Sequence, residues 1–277
     1  MGLSTVVSAA LRSVILIFIA HTLINSLLLS PLNRLRCLYW NQSKFTVDED
    51  WICNWLAFAH FHVAIVLSCM MVKAEAQLVV NIAYLCCTII ACYTMEGIFT
   101  IDLLDRSLSA IQCFIYIVIL GSIAYITYKD PNAMKNLMPR PVLKKMKSSS
   151  SFDKRQKLPI ATIAVIMHLV SSLIRVIDMT FGNGRDGYKG DMSSATYQSI
   201  SNFAVCDMML VCFLLLFALC FCGTEQHKWI LWGQAGILFI SQVMLAGWQG
   251  EQMASDMTMA GSIGTFVFVV IAIIGAL

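Results

Sequence analysis

Eight ionisable side chains lie inside long apolar stretches of this 277-residue chain: His21, His60, His62, Glu96, His168, Arg175, Asp178 and Asp207. Burying such groups in hydrocarbon costs at least roughly 2.5–3.5 kcal/mol each on insertion scales, so each is a functional candidate. A carboxylate at Asp207 can bind a cation, carry a proton, or sit protonated as a bridge between helices. Val205 and Met208 beside it carry no charge. Its partner must therefore come from another helix, with His60, His62 or His168 available. Glu96 poses the same question near the end of its own stretch. Arg175 and Asp178 are three apart, the spacing at which helical neighbours satisfy each other.

Four of these residues are histidines, which raises bis-imidazole haem ligation as a further chemistry. His60 and His62 stand about 200° apart around a helix and do not serve one iron together. Either is left to pair with His21 or His168. Catalytic motifs do not appear: there is no His-Glu-x-x-His, no zinc-type cysteine spacing, and no Ser-His-Asp set within one loop. Gly182-Asn183-Gly184-Arg185-Asp186-Gly187 is glycine-rich but follows an apolar helix rather than a strand, so it reads as an exposed turn. No catalytic residue, metal site or resident cofactor is expected, haem being the alternative.

The elements that position these groups follow from composition. Apolar residues make up 58% and charged residues 13%, with a mean hydropathy of +0.75. So few charges cannot clothe a water-facing surface. A membrane helix needs roughly 20 apolar residues. Eight stretches qualify, near 8–30, 53–72, 77–97, 108–128, 158–179, 199–222, 228–248 and 258–277. The expected fold is an all-α polytopic bundle of eight transmembrane helices. The five prolines fall outside the span interiors, so unbroken helices are predicted. The first stretch continues to Ser30 without a small-residue cleavage site and reads as a retained helix.

Charge sorting sets the orientation. Residues 129–157 hold nine Lys/Arg and two acids, whereas the opposite loops mix fewer bases with Asp48, Glu49, Asp50 and other acids. The positive-inside bias places that linker and both termini in the cytoplasm. Trp40, Trp51, Trp55 and Trp248 then mark one interface, Trp229 and Trp232 the other. Asn41-Gln42-Ser43 becomes a glycan acceptor on the far side, with Asn41 as the modified residue. Cys37 and Cys53 bracket the same loop and are the two cysteines placed to pair; most others lie in apolar runs as small hydrophobes. In the linker, phosphorylation of Ser148, Ser149, Ser150 or Ser151 would weaken contact between its bases and anionic headgroups. A net charge of +3 without a basic helix argues against a nucleic-acid partner.

An internal repeat is visible. His21 is followed 33 residues later by Asn54, and His168 is followed 34 later by Asn202. Asp105-Arg106-Ser107 and Asp256-Met257-Thr258 precede the fourth and eighth stretches alike. Four spans per unit is an even number, so the two units are parallel repeats. The expected organisation is a four-helix unit over 1–128, the basic linker 129–157 and a second four-helix unit over 158–277.

Leu11-Arg12-Ser13 opening the first span, Asn25-Ser26 closing it and Glu96 late in the third fall in a family-like order. On these residues 11–128 resemble the four-span ergosterol biosynthetic scaffold family of the endoplasmic reticulum. The chain departs from it at Cys53-Asn54, where that family has Arg-Thr, and at Cys92-Tyr93, where it has His-Phe. The resemblance implies a non-catalytic membrane scaffold that tethers lipid- or sterol-biosynthesis enzymes in an endomembrane. Its partners would be membrane lipids and other membrane proteins. The alternative is a small-molecule or ion transporter or channel using Asp207, with a b-type haem protein as the third expectation.

Overall fold

The computed structural model describes residues 45–71, 159–180, 191–248 and 255–277, together with isolated helical positions at 20, 110, 111, 114, 117, 118, 121 and 125. Among these residues it is all-α. Five helices follow one another: α1 Val47–Met71, α2 Ile160–Thr180, α3 Ala195–Phe221, α4 Thr224–Trp248 and α5 Ser255–Ala276. Three contain stretches long and apolar enough to cross a membrane, at Val47–Met70, Ile160–Ile177 and Ala195–Cys220. In α5 the apolar part is the shorter Ser262–Ala276, and α4 is diluted by Glu225, Gln226, Lys228, Gln234 and Gln242.

The described residues thus account for five helices rather than eight. The expected spans over 8–30 and 77–97 lie outside them, and 108–128 is described only at isolated positions. Outside them too lie His21, Glu96, Asn41, Ser148, Ser149, Ser150, Ser151 and the linker. Cys53 is buried, and Cys37, its expected partner, lies outside the described residues.

Helix starts are set by local chemistry. At α1 a reciprocal capping box closes: the Glu49 N–H donates to Thr46 Oγ1 at 3.2 Å, and the Thr46 N–H donates to Glu49 Oε2 at 2.9 Å. Ser194 caps α3 through its hydroxyl oxygen, which accepts the Tyr197 N–H at 3.0 Å. Pro159 precedes α2, and its carbonyl accepts the Thr162 N–H at 2.9 Å. Gly223 immediately precedes α4, its N–H donating to Gln226 Oε1 at 3.1 Å. Each device satisfies donors that a helix end leaves unpaired.

The described residues fall into two compact units. The first holds residues 45–64 and 192–210. There α1 and α3 run in the same direction, because Glu49 meets Ser194, Trp51 stacks on Tyr197 and His60 meets Asp207. These pairs are 145, 146 and 147 residues apart, a nearly constant register. The aromatic pair lies almost parallel, with ring centroids 6.4 Å apart and planes within 2°.

The second unit holds residues 65–71, 159–180, 191, 211–248 and 255–277. Here α2, α4 and α5 pack on one another. Gly275 of α5 lies against Ala161 and Ala164 of α2 and Leu231 of α4, and Ala235, Ala272 and Ala276 are buried in the same unit. Large aliphatic side chains point outward instead, among them Ile163, Ile166, Val170, Ile174 and Ile177 of α2. Buried on the same helix are His168 and Ser172. The outward aliphatic face of α2 suits hydrocarbon, while its buried side carries small and polar residues beside Val165.

Candidate functional site

α1 carries no charged residue after Asp50 along the rest of its length, and α3 carries only Asp207. Both helices place an ionisable group near the middle. At 1.5 Å per residue, His60 lies roughly 20 Å from the start of α1 and Asp207 roughly 18 Å from the start of α3. Because the helices run parallel in register, the two groups meet at one depth. Asp207 is 5% exposed, and its carboxylate pairs with His60 Nδ1. The same nitrogen stands 3.2 Å from the carbonyl oxygen of Leu56, one turn earlier in α1. Of the three histidines available to Asp207 on sequence grounds, the structure brings His60 to it.

The remaining candidates sit apart from this pair in role. His62 is buried with its ring 6.0 Å from that of Phe58. His168 is buried in the second unit with its ring 5.5 Å from Phe268. Asn54 is buried, whereas Asn202 is exposed, so the two matched asparagines do not share an environment. Arg175 is half-buried on α2. Among the described residues no three His, Cys, Asp or Glu side chains converge as a metal site.

Toward the start of the same two helices lies a second acid that hydropathy does not single out. Glu49 is buried, and its Oε1 accepts the Ser194 hydroxyl at 3.1 Å while Oε2 accepts the Thr46 N–H. One carboxylate therefore joins the caps of two parallel helices, at the end where both macrodipoles are positive. The sequence signal was Thr46-Val47-Asp48-Glu49, a capping-box pattern inside what reads as an acidic loop.

His227 is the other residue that sequence reasoning passed over, because it falls in the short turn between two apolar stretches. It is buried, with Nε2 3.0 Å from the Ala218 carbonyl and Nδ1 3.1 Å from the Thr162 hydroxyl. A carbonyl only accepts, so Nε2 carries the hydrogen and Nδ1 receives the Thr162 hydroxyl proton. The ring thereby ties the start of α2, the end of α3 and the start of α4. Burial holds His227 below the ordinary histidine range, against the Ala218 bond, which favours the proton.

What the His60–Asp207 geometry can do chemically is hold or pass one positive charge at the centre of two membrane-length helices. An imidazole and a carboxylate in contact share a proton and differ by one unit of charge between their states. Compared with known proteins, the chain matches no family model, no curated protein and no solved structure.

Proposed function

We propose that this protein is a multi-pass membrane transporter or channel that handles a proton or small cation at His60 and Asp207. The observation that carries the reading is their pairing near the middle of two parallel helices that, beyond the acidic first turn of α1, carry no other Asp, Glu, Lys or Arg. A group this expensive to bury is retained where its charge is used. The eight-span architecture of two parallel four-helix repeats belongs to the same proposal. Support for it comes from the common direction of α1 and α3, which the second and sixth spans of such a repeat must share. With the positive-inside bias, both termini then face the cytoplasm, in the endoplasmic reticulum or another endomembrane.

The test is proton flux through purified protein in sealed vesicles carrying an internal pH dye. Wild-type vesicles discharge an imposed pH gradient faster than vesicles holding Asp207→Asn. Equal rates for the two refute the reading.

The second reading is the scaffold that the family resemblance implies, tethering enzymes of lipid or sterol synthesis. Its favouring observation is the outward aliphatic face of α2, which suits acyl chains or the helices of other membrane proteins. Affinity purification in mild detergent separates the two. Stoichiometric recovery of membrane enzymes, unchanged by Asp207→Asn, supports the scaffold.

A further inference from the structure

His60 has two ring nitrogens, and its surroundings treat them differently. Nδ1 faces the Leu56 carbonyl oxygen at 3.2 Å and the Asp207 carboxylate. A carbonyl oxygen has no hydrogen to give, and an ionised carboxylate has none either. One nitrogen between two acceptors must itself carry the hydrogen. The neutral ring is then the Nδ1–H form, and the lone pair is left on Nε2. Leu56 belongs to the preceding turn of α1, so the helix imposes this orientation even without α3. Asp207 adds a second acceptor from a different helix.

We propose that His60 Nε2 is the atom that takes up and releases the transported proton, and that Asp207 serves as its counter-charge. The inference rests on the transport reading above and assigns separate roles within its site. The balance is simple. A proton from water adds to the Nε2 lone pair and forms an N–H bond, taking the pair from a net charge of minus one to zero. Loss of that proton to water on the other side breaks the same bond and restores minus one. No bond to Asp207 is made or broken in either step; its carboxylate stays beside Nδ1 as the counter-charge, while the Leu56 carbonyl keeps accepting from Nδ1–H. The compensated state is the cheaper one in a low-dielectric interior, so protonation and burial of the site favour each other.

Among the described residues, the neighbouring titratable groups leave this assignment intact. From α3 the charged group that faces His60 is Asp207, with the thiol of Cys206 beside it in sequence. From α1 itself, His62 is turned to Phe58. His227 provides a contrast, since there the carbonyl contact falls on Nε2 and the opposite tautomer results.

The experiment is nitrogen NMR of full-length protein in lipid nanodiscs, with all histidines carrying nitrogen-15 and the His60 signals assigned by their loss in His60→Gln. The expected result is an Nδ1 that stays protonated from acid to alkaline pH while Nε2 alone changes between lone-pair and protonated shifts. In Asp207→Asn the neutral ring keeps its hydrogen on Nδ1, because Leu56 still accepts it. A neutral His60 with its hydrogen on Nε2, or a carboxyl signal from Asp207 that titrates in place of the ring, overturns the proposal. The His60-Phe61 dipeptide occurs once in the sequence, so backbone labelling of that pair also assigns His60 in the wild-type protein, and a variant that fails to fold does not obscure the result. The two failures are distinct. Flux that survives Asp207→Asn removes the transport reading and leaves the tautomer standing, whereas the wrong tautomer with Asp207-dependent flux removes only the assignment to Nε2.

Discussion

Gly275 of α5 sits where a side chain has no room, and adding one methyl group measures how closely the second unit is packed. A Cβ there would lie 2.5 Å from Ala164 Cβ and 2.8 Å from Leu231 Cδ1. Ordinary carbon contacts are about 3.5–4.0 Å, so the shortfall is about 1 Å on the Ala164 side. Leu231 can swing its terminal methyl away. Ala164 cannot, because its Cβ is fixed to the backbone of α2. The helices must part or rotate, and overpacking of this kind costs about 1–3 kcal/mol. Replacing glycine by alanine within a helix returns at most about 1 kcal/mol. Gly275→Ala is therefore expected to lose about 1–2 kcal/mol net, a fall of roughly 2–6 °C in melting temperature. The control is the double variant Ala164→Gly/Gly275→Ala, which moves the methyl from one helix to the other. Propensity then cancels and the clash is gone, so stability returns to near wild type. Tryptophan-fluorescence melts in mild detergent read all four members of the cycle. A Gly275→Ala protein as stable as wild type, or a double variant worse than both singles, would refute the packing of α2 against α5.

Two further outcomes follow from the polar links. Glu49→Ala removes the acceptor for both the Thr46 N–H and the Ser194 hydroxyl. It should cost about 2 kcal/mol in the same melt, against about 1 kcal/mol for Thr46→Ala, which spares the bond to Ser194. Equal effects would mean that the link between helices contributes nothing. For His227 the sign comes from its lowered proton affinity in the fold. The unfolded chain binds the proton first, so stability falls as pH drops through the ordinary histidine value of about 6.5 and levels off below the folded value. The difference in melting temperature between wild type and His227→Gln should therefore shrink toward acid pH; a constant difference would remove His227 from the acid response.

Hydropathy located the five described helices well and their beginnings poorly, for a physical reason. The expected stretch near 53–72 emerges as Val47–Met71 because Val47-Asp48-Glu49-Asp50 forms the first turn. Acids are favourable at a helix N-terminus, yet they lower any apolar average. The start of α3 at Ala195 rather than near 199 has the same origin in its polar first turn, Thr196 to Ser199. The depth of Asp207 and of His60 was readable from their positions within the stretches. Which histidine faced the acid was not, because that depends on the register between helices 147 residues apart in sequence. Register came from Ser194, Tyr197, Glu49 and Trp51, residues whose partners lie on the other helix. His227 escaped notice because its value lies in three chain segments meeting at one turn.

The contact between His60 and Asp207 carries the transport reading, and a double-mutant cycle measures it directly. His60→Gln, Asp207→Asn and the double variant are melted alongside wild type in one detergent. Removing one partner of a buried pair leaves the other uncompensated, at about 3–5 kcal/mol, whereas removing both leaves two neutral groups. The predicted result is a double variant no less stable than either single, with a coupling of at least about 2 kcal/mol. Losses that simply add would mean that His60 and Asp207 do not meet, and would contradict the account.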